Sequence, residues 1–119
     1  MKSVKANLID WAAMGTDLSA DAYCDAILVE GSSSASISLN WTGTFNGSFK
    51  IKVSNDPGLS PTYGHDINSS VINVANGLYL GQAGYTYSIP DLTYRWIQVY
   101  YTFVSGTGTL TTCDMILKG

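Results

Sequence analysis

The sequence predicts an all-β domain with little or no helix. Apolar and polar residues alternate with a period of two along several segments, which is the pattern of half-buried strands. No segment carries the 3.6-residue apolar stripe of an amphipathic helix. Gly, Asn, Pro and Ser separate the alternating segments, as turns require. Eight short strands in 119 residues close most economically as an antiparallel two-sheet β-sandwich, jelly-roll-like in form, with a small barrel as the alternative.

The chain length favours one domain spanning residues 1–119. A chain of 119 residues can bury a core without the help of metals or disulfides. The predicted strands are 7–13, 22–30, 35–44, 48–55, 70–75, 84–89, 94–104 and 108–117. The intervening stretch from Ser54 to about Ser69 shows no periodicity and is predicted to be a long loop.

A predicted hairpin occupies residues 35–55. Its first strand places Leu39 and Trp41 on one face, and its second strand places Ile51 and Val53 on one face. A two-residue turn at Asn46-Gly47 would mix the two faces. We therefore predict the three-residue loop Phe45-Asn46-Gly47, with Gly47 left-handed, Trp41 opposite Ile51 and Leu39 opposite Val53.

The most apolar segment, 94–104, is predicted to be a central strand that ends in a hairpin connection at Ser105-Gly106-Thr107-Gly108. One of its faces combines with the hairpin face into the expected core, made of Leu39, Trp41, Ile51, Ile97, Val99 and Phe103. Its other face, with Trp96 and Tyr100, is too aromatic for ordinary solvent surface. Another sheet, a loop or a partner subunit is expected to cover it.

The charge pattern disfavours several classes of partner. The net charge is −3, and no cluster of Lys and Arg offers a footprint for a phosphate backbone, so nucleic acid is not an expected partner. No apolar run approaches the ~20 residues of a membrane helix, and no export signal is recognised. Charged residues make up only 13% of the chain, which favours neutral outer faces that can dock on other molecules.

Catalytic, metal and cofactor sites are not predicted. The chain has one His and a single Glu, and His65 is expected to be a solvated residue of the irregular loop. Four residues, Asp17, Ser19, Asp21 and Asp25, are spaced in a way that resembles a calcium loop, but Gly and Glu are missing where such a loop needs them, so capping and strand-edge roles are expected for the aspartates. The protein is therefore predicted not to be an enzyme.

The two cysteines, Cys24 and Cys113, lie near opposite ends of the chain and form no C-x-x-C pair. Each lies within an apolar segment, where a thiol behaves as a small hydrophobe. We expect both to be reduced core residues. A disulfide between the first and last strands is the alternative.

Two long motifs carry a resemblance to a known family. The first is ASISLNWTGTFNGSFKIKVSND, and the second, after a variable loop, is DLTYRWIQVYYTFVSGTGTLTTCDMILKG. This order resembles small proteins encoded among the virion genes of tailed bacteriophages, in which "W-T-G-T-x-x-G-x-F" precedes "Y-R-W-[IV]" and "S-G-T-G-T-L". The matching residues are Trp41, Thr42, Gly43, Thr44, Gly47, Phe49, Ser54, Asn55 and Asp56, then Tyr94, Arg95, Trp96, Tyr101, Thr102, Ser105, Gly106, Thr107, Gly108, Thr109 and Leu110.

The resemblance implies a β-sandwich component of a phage virion, such as a capsid decoration, head fibre, connector or tail protein. It also implies residence in the virion, with the host cytoplasm as the place of assembly. The expected partners are further copies of the chain and other virion proteins. Four aromatic residues are the candidate interface anchors: Trp96, Tyr100, Tyr85 and Tyr87.

A second similarity is to jelly-roll carbohydrate-binding domains, which also close with an aromatic strand, a Gly-rich turn and a last strand. Trp96 and Tyr100 would then form a sugar platform, with Arg95 as a hydrogen-bond donor. Carbohydrate binding is the alternative function.

Overall fold

The structure is a computed structural model that describes residues 3–9, 14–25, 27–54, 65–66, 71–92 and 94–119. These residues form eight antiparallel strands and no helix, so the predicted all-β class is confirmed. In the described part of the chain, no helix is long and apolar enough to cross a membrane. The strands are β1 (Ser3–Asn7), β2 (Ala22–Tyr23), β3 (Ile27–Leu28), β4 (Ser34–Ser54), β5 (His65–Asp66), β6 (Ile72–Val74), β7 (Gly84–Ile89) and β8 (Trp96–Lys118).

Two long strands, β4 and β8, organise the sheet. They pair along their whole length, from Ser34 opposite Lys118 to Ser54 opposite Trp96. The shorter strands add to the outer edges of this ribbon: β1, β2 and β3 pair with β8, whereas β5, β6 and β7 pair with β4. The described strands therefore form one hydrogen-bonded sheet rather than two separate ones.

The sheet has two halves that share one core. Half-sheet A contains β1, β7 and residues 34–40 and 112–118 of the long strands. Half-sheet B contains β2, β3, β5, β6 and residues 47–54 and 96–103. Inward residues of both halves, such as Ile37 and Met115 in A and Ile51 and Val99 in B, belong to the same buried cluster. The connecting ribbon, residues 41–46 and 104–110, is called the corner below.

Both predicted hairpin loops are wrong. Trp41 lies opposite Leu110 rather than Ile51, because β4 continues through Phe45-Asn46-Gly47 with only a register shift between Asn46 and Gly47. Likewise, β8 continues through the predicted turn at 105–108. The Gly and Asn residues that indicated turns instead allow the long strands to bend, which is a known use of glycine and bulges inside strands.

The corner pairs the two motifs that carried the family resemblance. Gly43 lies opposite Gly108, and Phe45 lies opposite Gly106. Gly43 and Gly106 both have positive φ, 105° and 88°, a conformation that glycine adopts without penalty. The Asn46 side chain stabilises the corner, since it donates to Ser105 Oγ at 2.9 Å and accepts from the backbone N–H of Asn76 at 3.1 Å.

An aromatic cluster fills the core beneath the corner. Trp41 stacks on Phe49 with ring centroids 5.3 Å apart and meets Phe45 edge-on at 6.2 Å. Tyr101 contacts both Phe45 and Phe49. The two polar atoms of the cluster are satisfied, because Trp41 Nε1 donates to the Gly77 carbonyl at 2.8 Å and Tyr101 Oη donates to the Leu18 carbonyl at 2.9 Å.

The expected core is present except at one position. Leu39, Trp41, Ile51, Ile97 and Val99 are all buried. Phe103, also expected there, is only half-buried. Strand β2 ends its pairing with β8 at the residue pair 22 and 101, so among the described residues Phe103 has no strand beside it on that side, and its N–H donates instead to the Asp21 carboxylate at 2.7 Å.

The remaining strand predictions differ in their limits. Strand β7 occupies the predicted range 84–89, and β6 lies within the predicted range 70–75. The predicted strand 22–30 is interrupted, because β2 and β3 are only two residues each. The predicted strand 7–13 is displaced, since β1 ends at Asn7, and residues 10–13 lie outside the described part of the chain.

Both cysteines are free, buried thiols, which confirms the reduced-core interpretation. Cys24 Sγ accepts the Val99 N–H at 3.1 Å, and Cys113 Sγ lies 3.6 Å from Met14 Sδ. Burial raises the pKa of Cys24 to about 11, and burial also raises the pKa of Cys113. Since the thiolate is the reactive form, both side chains act as packing groups at neutral pH.

Candidate functional site: the outer face of half-sheet B

Strand β8 presents aromatic side chains on both of its faces in half-sheet B. Because alternate residues point to opposite sides of a strand, Ile97, Val99 and Tyr101 face the core. Trp96 and Tyr100 point to the outside, where both are only half-buried. The outer face of half-sheet B, called the aromatic face below, consists of Tyr23, Leu28, Lys50, Lys52, Trp96, Gln98 and Tyr100.

Tyr100 lies at the centre of this face. Its ring stacks on the ring of Tyr23 from the neighbouring β2, with centroids 5.9 Å apart and planes 14° apart. On the other side, Lys52 Nζ lies 5.4 Å from the Tyr100 centroid, which is a cation–π geometry. Tyr23 is 51% exposed, so the stacked pair offers a large aromatic surface to solvent.

Trp96 and Leu28 extend the apolar surface along the same strands. They are directly paired between β8 and β3, and Leu28 is 52% exposed. The exposed apolar residues here thus form two cross-strand pairs on one face, on either side of Gln98 along β8. A cluster of exposed apolar residues on one face indicates an interaction surface.

Two buried polar atoms on this face lack a hydrogen-bond partner among the described residues: Trp96 Nε1, a donor, and Gln98 Oε1, an acceptor. Gln98 is 2% exposed, and its Nε2 donates to the Cys24 carbonyl at 2.8 Å, which holds the amide in place. Each unsatisfied buried polar atom costs about 1–3 kcal/mol.

The structure divides the four candidate anchors between two places. Trp96 and Tyr100 lie together on the aromatic face. Tyr85 and Tyr87 lie on β7 in half-sheet A, opposite the buried Leu39 and Ile37, and are half-buried against the core. The Tyr85 ring also contacts Tyr79 edge-on at 5.0 Å. The sequence prediction had placed all four in one surface.

Two residues of the aromatic face, Tyr23 and Leu28, were not predicted from the sequence. Tyr23 and Leu28 belong to the interrupted strands β2 and β3, where alternation is too short to assign a face. Gln98, a lone amide in the middle of the most apolar segment, lies on the outer side of that segment as alternation predicts. It is nevertheless buried, and its hydrogen bond to the Cys24 carbonyl accounts for a polar side chain there.

Other sequence candidates have structural roles. Asp17 Oδ1 accepts the Ser19 N–H at 2.8 Å, and Asp21 accepts from Phe103, so these aspartates have the expected capping and strand-edge roles. Within the described ranges, no group of three His, Cys, Asp or Glu side chains could hold a metal ion. His65 does not lie in an irregular loop as predicted, because its backbone forms strand β5 opposite Val53.

Comparisons with known proteins place the fold but not the function. No protein-family model and no curated protein sequence matches the chain. Among solved structures, it is similar to the SPBc2 prophage-derived protein YomS, with a TM-score of 0.56 and 9% identity over 98% of this chain and 92% of that one. It is also similar to chitosan-binding module 1 from a chitosanase/glucanase of Paenibacillus sp. IK-5, with a TM-score of 0.50 and 14% identity over 99% and 94% of the two chains. The shared feature is the β-rich fold, found in one prophage-derived protein and in one carbohydrate-binding module.

Proposed function

We propose that this chain is a non-enzymatic structural component of a phage virion, which docks on other virion proteins through its aromatic face. The observation that carries the proposal is that two cross-strand pairs, Tyr23 with Tyr100 and Leu28 with Trp96, lie on the same side of a single half-sheet, with about half of Tyr23 and of Leu28 exposed. Aromatic residues dominate the binding energy of protein interfaces. The family resemblance of the corner motifs and the fold similarity to a prophage-derived protein support the virion as the setting.

The two charged side chains of the aromatic face are partly covered, which suits a protein contact. These cationic side chains, Lys50 and Lys52, are half-buried, and Lys52 lies over the Tyr100 ring. Aromatic residues are enriched in interface cores, and a cation that lies over an aromatic ring gains a favourable interaction there. The nearby ion pair between Arg95 and Glu30, at 3.3 Å, contributes a polar rim.

The test uses particles of the encoding phage assembled without this chain. Purified wild-type protein is expected to co-sediment with these particles, whereas Tyr100→Glu is expected to lower the affinity at least about tenfold, since it removes a central aromatic and introduces a buried charge. Leu80→Glu is the matched control, because Leu80 is 79% exposed and lies outside the strands that form the aromatic face. Failure of the wild type to bind, or equal binding by Tyr100→Glu, would overturn the proposal.

Carbohydrate binding at the same face is the second candidate, and the stacked tyrosines favour it. The Tyr23 and Tyr100 rings lie 14° from parallel, and Tyr23 is 51% exposed, so the pair forms an aromatic platform of the kind that lines ligand sites. Lys52 lies over the Tyr100 ring, and its positive charge would repel chitosan, which is also cationic. A neutral glycan therefore suits this face better than chitosan.

A glycan array distinguishes this second candidate. Binding of a neutral glycan that is lost in Tyr100→Ala and retained in Leu80→Glu would establish it. An array on which the wild type binds nothing would exclude it and leave the docking proposal unaffected.

A further inference from the structure

Strand β7 forms an edge of half-sheet A that lacks the usual protection of sheet edges. In the described part of the chain it pairs with β4 on one side and with no strand on the other. It is six residues long, Gly-Tyr-Thr-Tyr-Ser-Ile, without a charge or a proline and without a register shift against β4. Natural proteins avoid such edges, because they are templates for pairing with another chain.

The other edges of the described sheet are protected. Strand β1 carries Lys5, which forms an ion pair with Asp114 at 3.3 Å. Strands β2, β3, β5 and β6 are only two or three residues long. Short edge strands and edge lysines are both recognised devices against edge-to-edge association. Among the described edge strands, β7 is therefore the one that has neither a lysine nor a short length to protect it.

The phase of the β4–β7 ladder shows which backbone groups are available for pairing. The Trp41 N–H donates to the Ala83 carbonyl at 3.1 Å, and this pair continues the register in which Asn40 lies opposite Gly84. Hydrogen-bonded and non-hydrogen-bonded pairs alternate in an antiparallel ladder. Odd-numbered residues therefore direct their backbone groups to β4, whereas those of Gly84, Thr86 and Ser88 point away from the sheet.

The strand is also self-complementary. In an antiparallel pair, residues that lie directly opposite each other are on the same face of the sheet. A two-fold axis perpendicular to the sheet must therefore set one residue opposite its own copy, because an axis between two neighbouring residues would pair residues of opposite faces. Centred on Thr86, it sets Thr86 opposite Thr86, Gly84 opposite Ser88, and Tyr85 opposite Tyr87 of the other copy. The outward backbone groups then bond to one another, and both cross-strand tyrosine pairs gain aromatic contact on the core side of the sheet.

From this geometry we infer that the chain forms a two-fold dimer by antiparallel pairing of β7 with β7 of a second copy, centred on Thr86. The inference does not depend on the proposed docking function, because β7 and the aromatic face belong to different half-sheets. It also gives Tyr85 and Tyr87 a role of their own, contact with the second copy, which is separate from the role proposed above for Trp96 and Tyr100.

The test combines light scattering behind a sizing column with variants of one edge residue. Wild-type protein is expected to be a dimer at micromolar concentration. Thr86→Pro is expected to be a monomer, since it removes an outward N–H and leaves the bonds to β4 in place, and Thr86→Lys is expected to be a monomer because it sets two like charges opposite each other. Asn73→Lys, on the exposed side of β6, and Tyr100→Glu should both remain dimers.

Amide hydrogen exchange of the wild type tests the same inference without a variant. Amides of Gly84, Thr86 and Ser88 are expected to lose protection on dilution, while those of Tyr85 and Tyr87 stay protected. A monomeric wild type, a dimeric Thr86→Pro, or protection of the three even-numbered amides that does not depend on concentration would each overturn the inference.

Discussion

Replacing Trp41 with alanine is expected to lower the free energy of unfolding by about 3–5 kcal/mol, the range for truncating a large buried aromatic residue. Trp41 is 2% exposed and contacts Phe45 and Phe49. Its loss would leave a cavity where the two halves of the sheet meet. It would also leave the Gly77 carbonyl without the donor that it has in the native protein.

Urea denaturation followed by far-UV circular dichroism measures this free energy of unfolding, since the backbone signal does not require the fluorescence of the removed tryptophan. Phe103→Ala is the informative control, because Phe103 lies on the same side of β8 as the core but is only half-buried. Its expected cost is about 1–2 kcal/mol, in the ordinary range for single substitutions. Equal stability losses in the two variants would contradict the corner-centred core described above.

The elements that were predicted correctly are those whose information is local. Strand β7 has unbroken alternation from Gly84 to Ile89 and a turn-rich segment before it, so its range was predictable. The core faces of β4 and β8 were predictable for the same reason. Alternation identifies the side of a strand that is buried, whatever the strand pairs with.

The two false hairpins show what local information cannot decide. Gly, Asn and Ser at 45–47 and 105–108 favour a turn, but the same residues also permit a bend inside a long strand. The choice depends on pairing between segments about sixty residues apart, such as Gly43 with Gly108. A short segment of the sequence never contains both partners. The Gly-Thr pairs that the two motifs share are the one local feature that is consistent with their pairing.

The candidate site was predictable only where it lies on one long strand. The aromatic outer side of 94–104 was evident from alternation, and it correctly singled out Trp96 and Tyr100 as outward residues. Tyr85 and Tyr87 were grouped with them by residue type alone. Their assignment to another half-sheet follows from β7 pairing with the first part of β4, which is again a contact between distant segments.

Gly106→Ala is expected to destabilise the protein by about 2–5 kcal/mol, combining the cost of a left-handed backbone with that of a steric clash. Gly106 has a φ of 88°, and a Cβ atom there would overlap the Thr44 carbonyl oxygen and lie 2.8 Å from the Cα of Phe45. Both contacts are backbone atoms of the paired strand, which cannot move without separating β4 from β8 at the corner. The thermodynamic cost should appear as a lower urea midpoint.

Gly31→Ala separates the two contributions. Gly31 has nearly the same φ, 93°, but no atom lies within 4 Å of the added Cβ. Only the backbone cost of about 1–2 kcal/mol is then expected. The difference between the two losses in free energy of unfolding reports the steric cost of a Cβ between the paired strands at the corner. Equal losses would mean that β4 and β8 can separate there without cost. Since the corner joins the two half-sheets, a Gly106→Ala protein that still folds should also show a disturbed aromatic cluster in its near-UV spectrum, whereas Gly31→Ala should not.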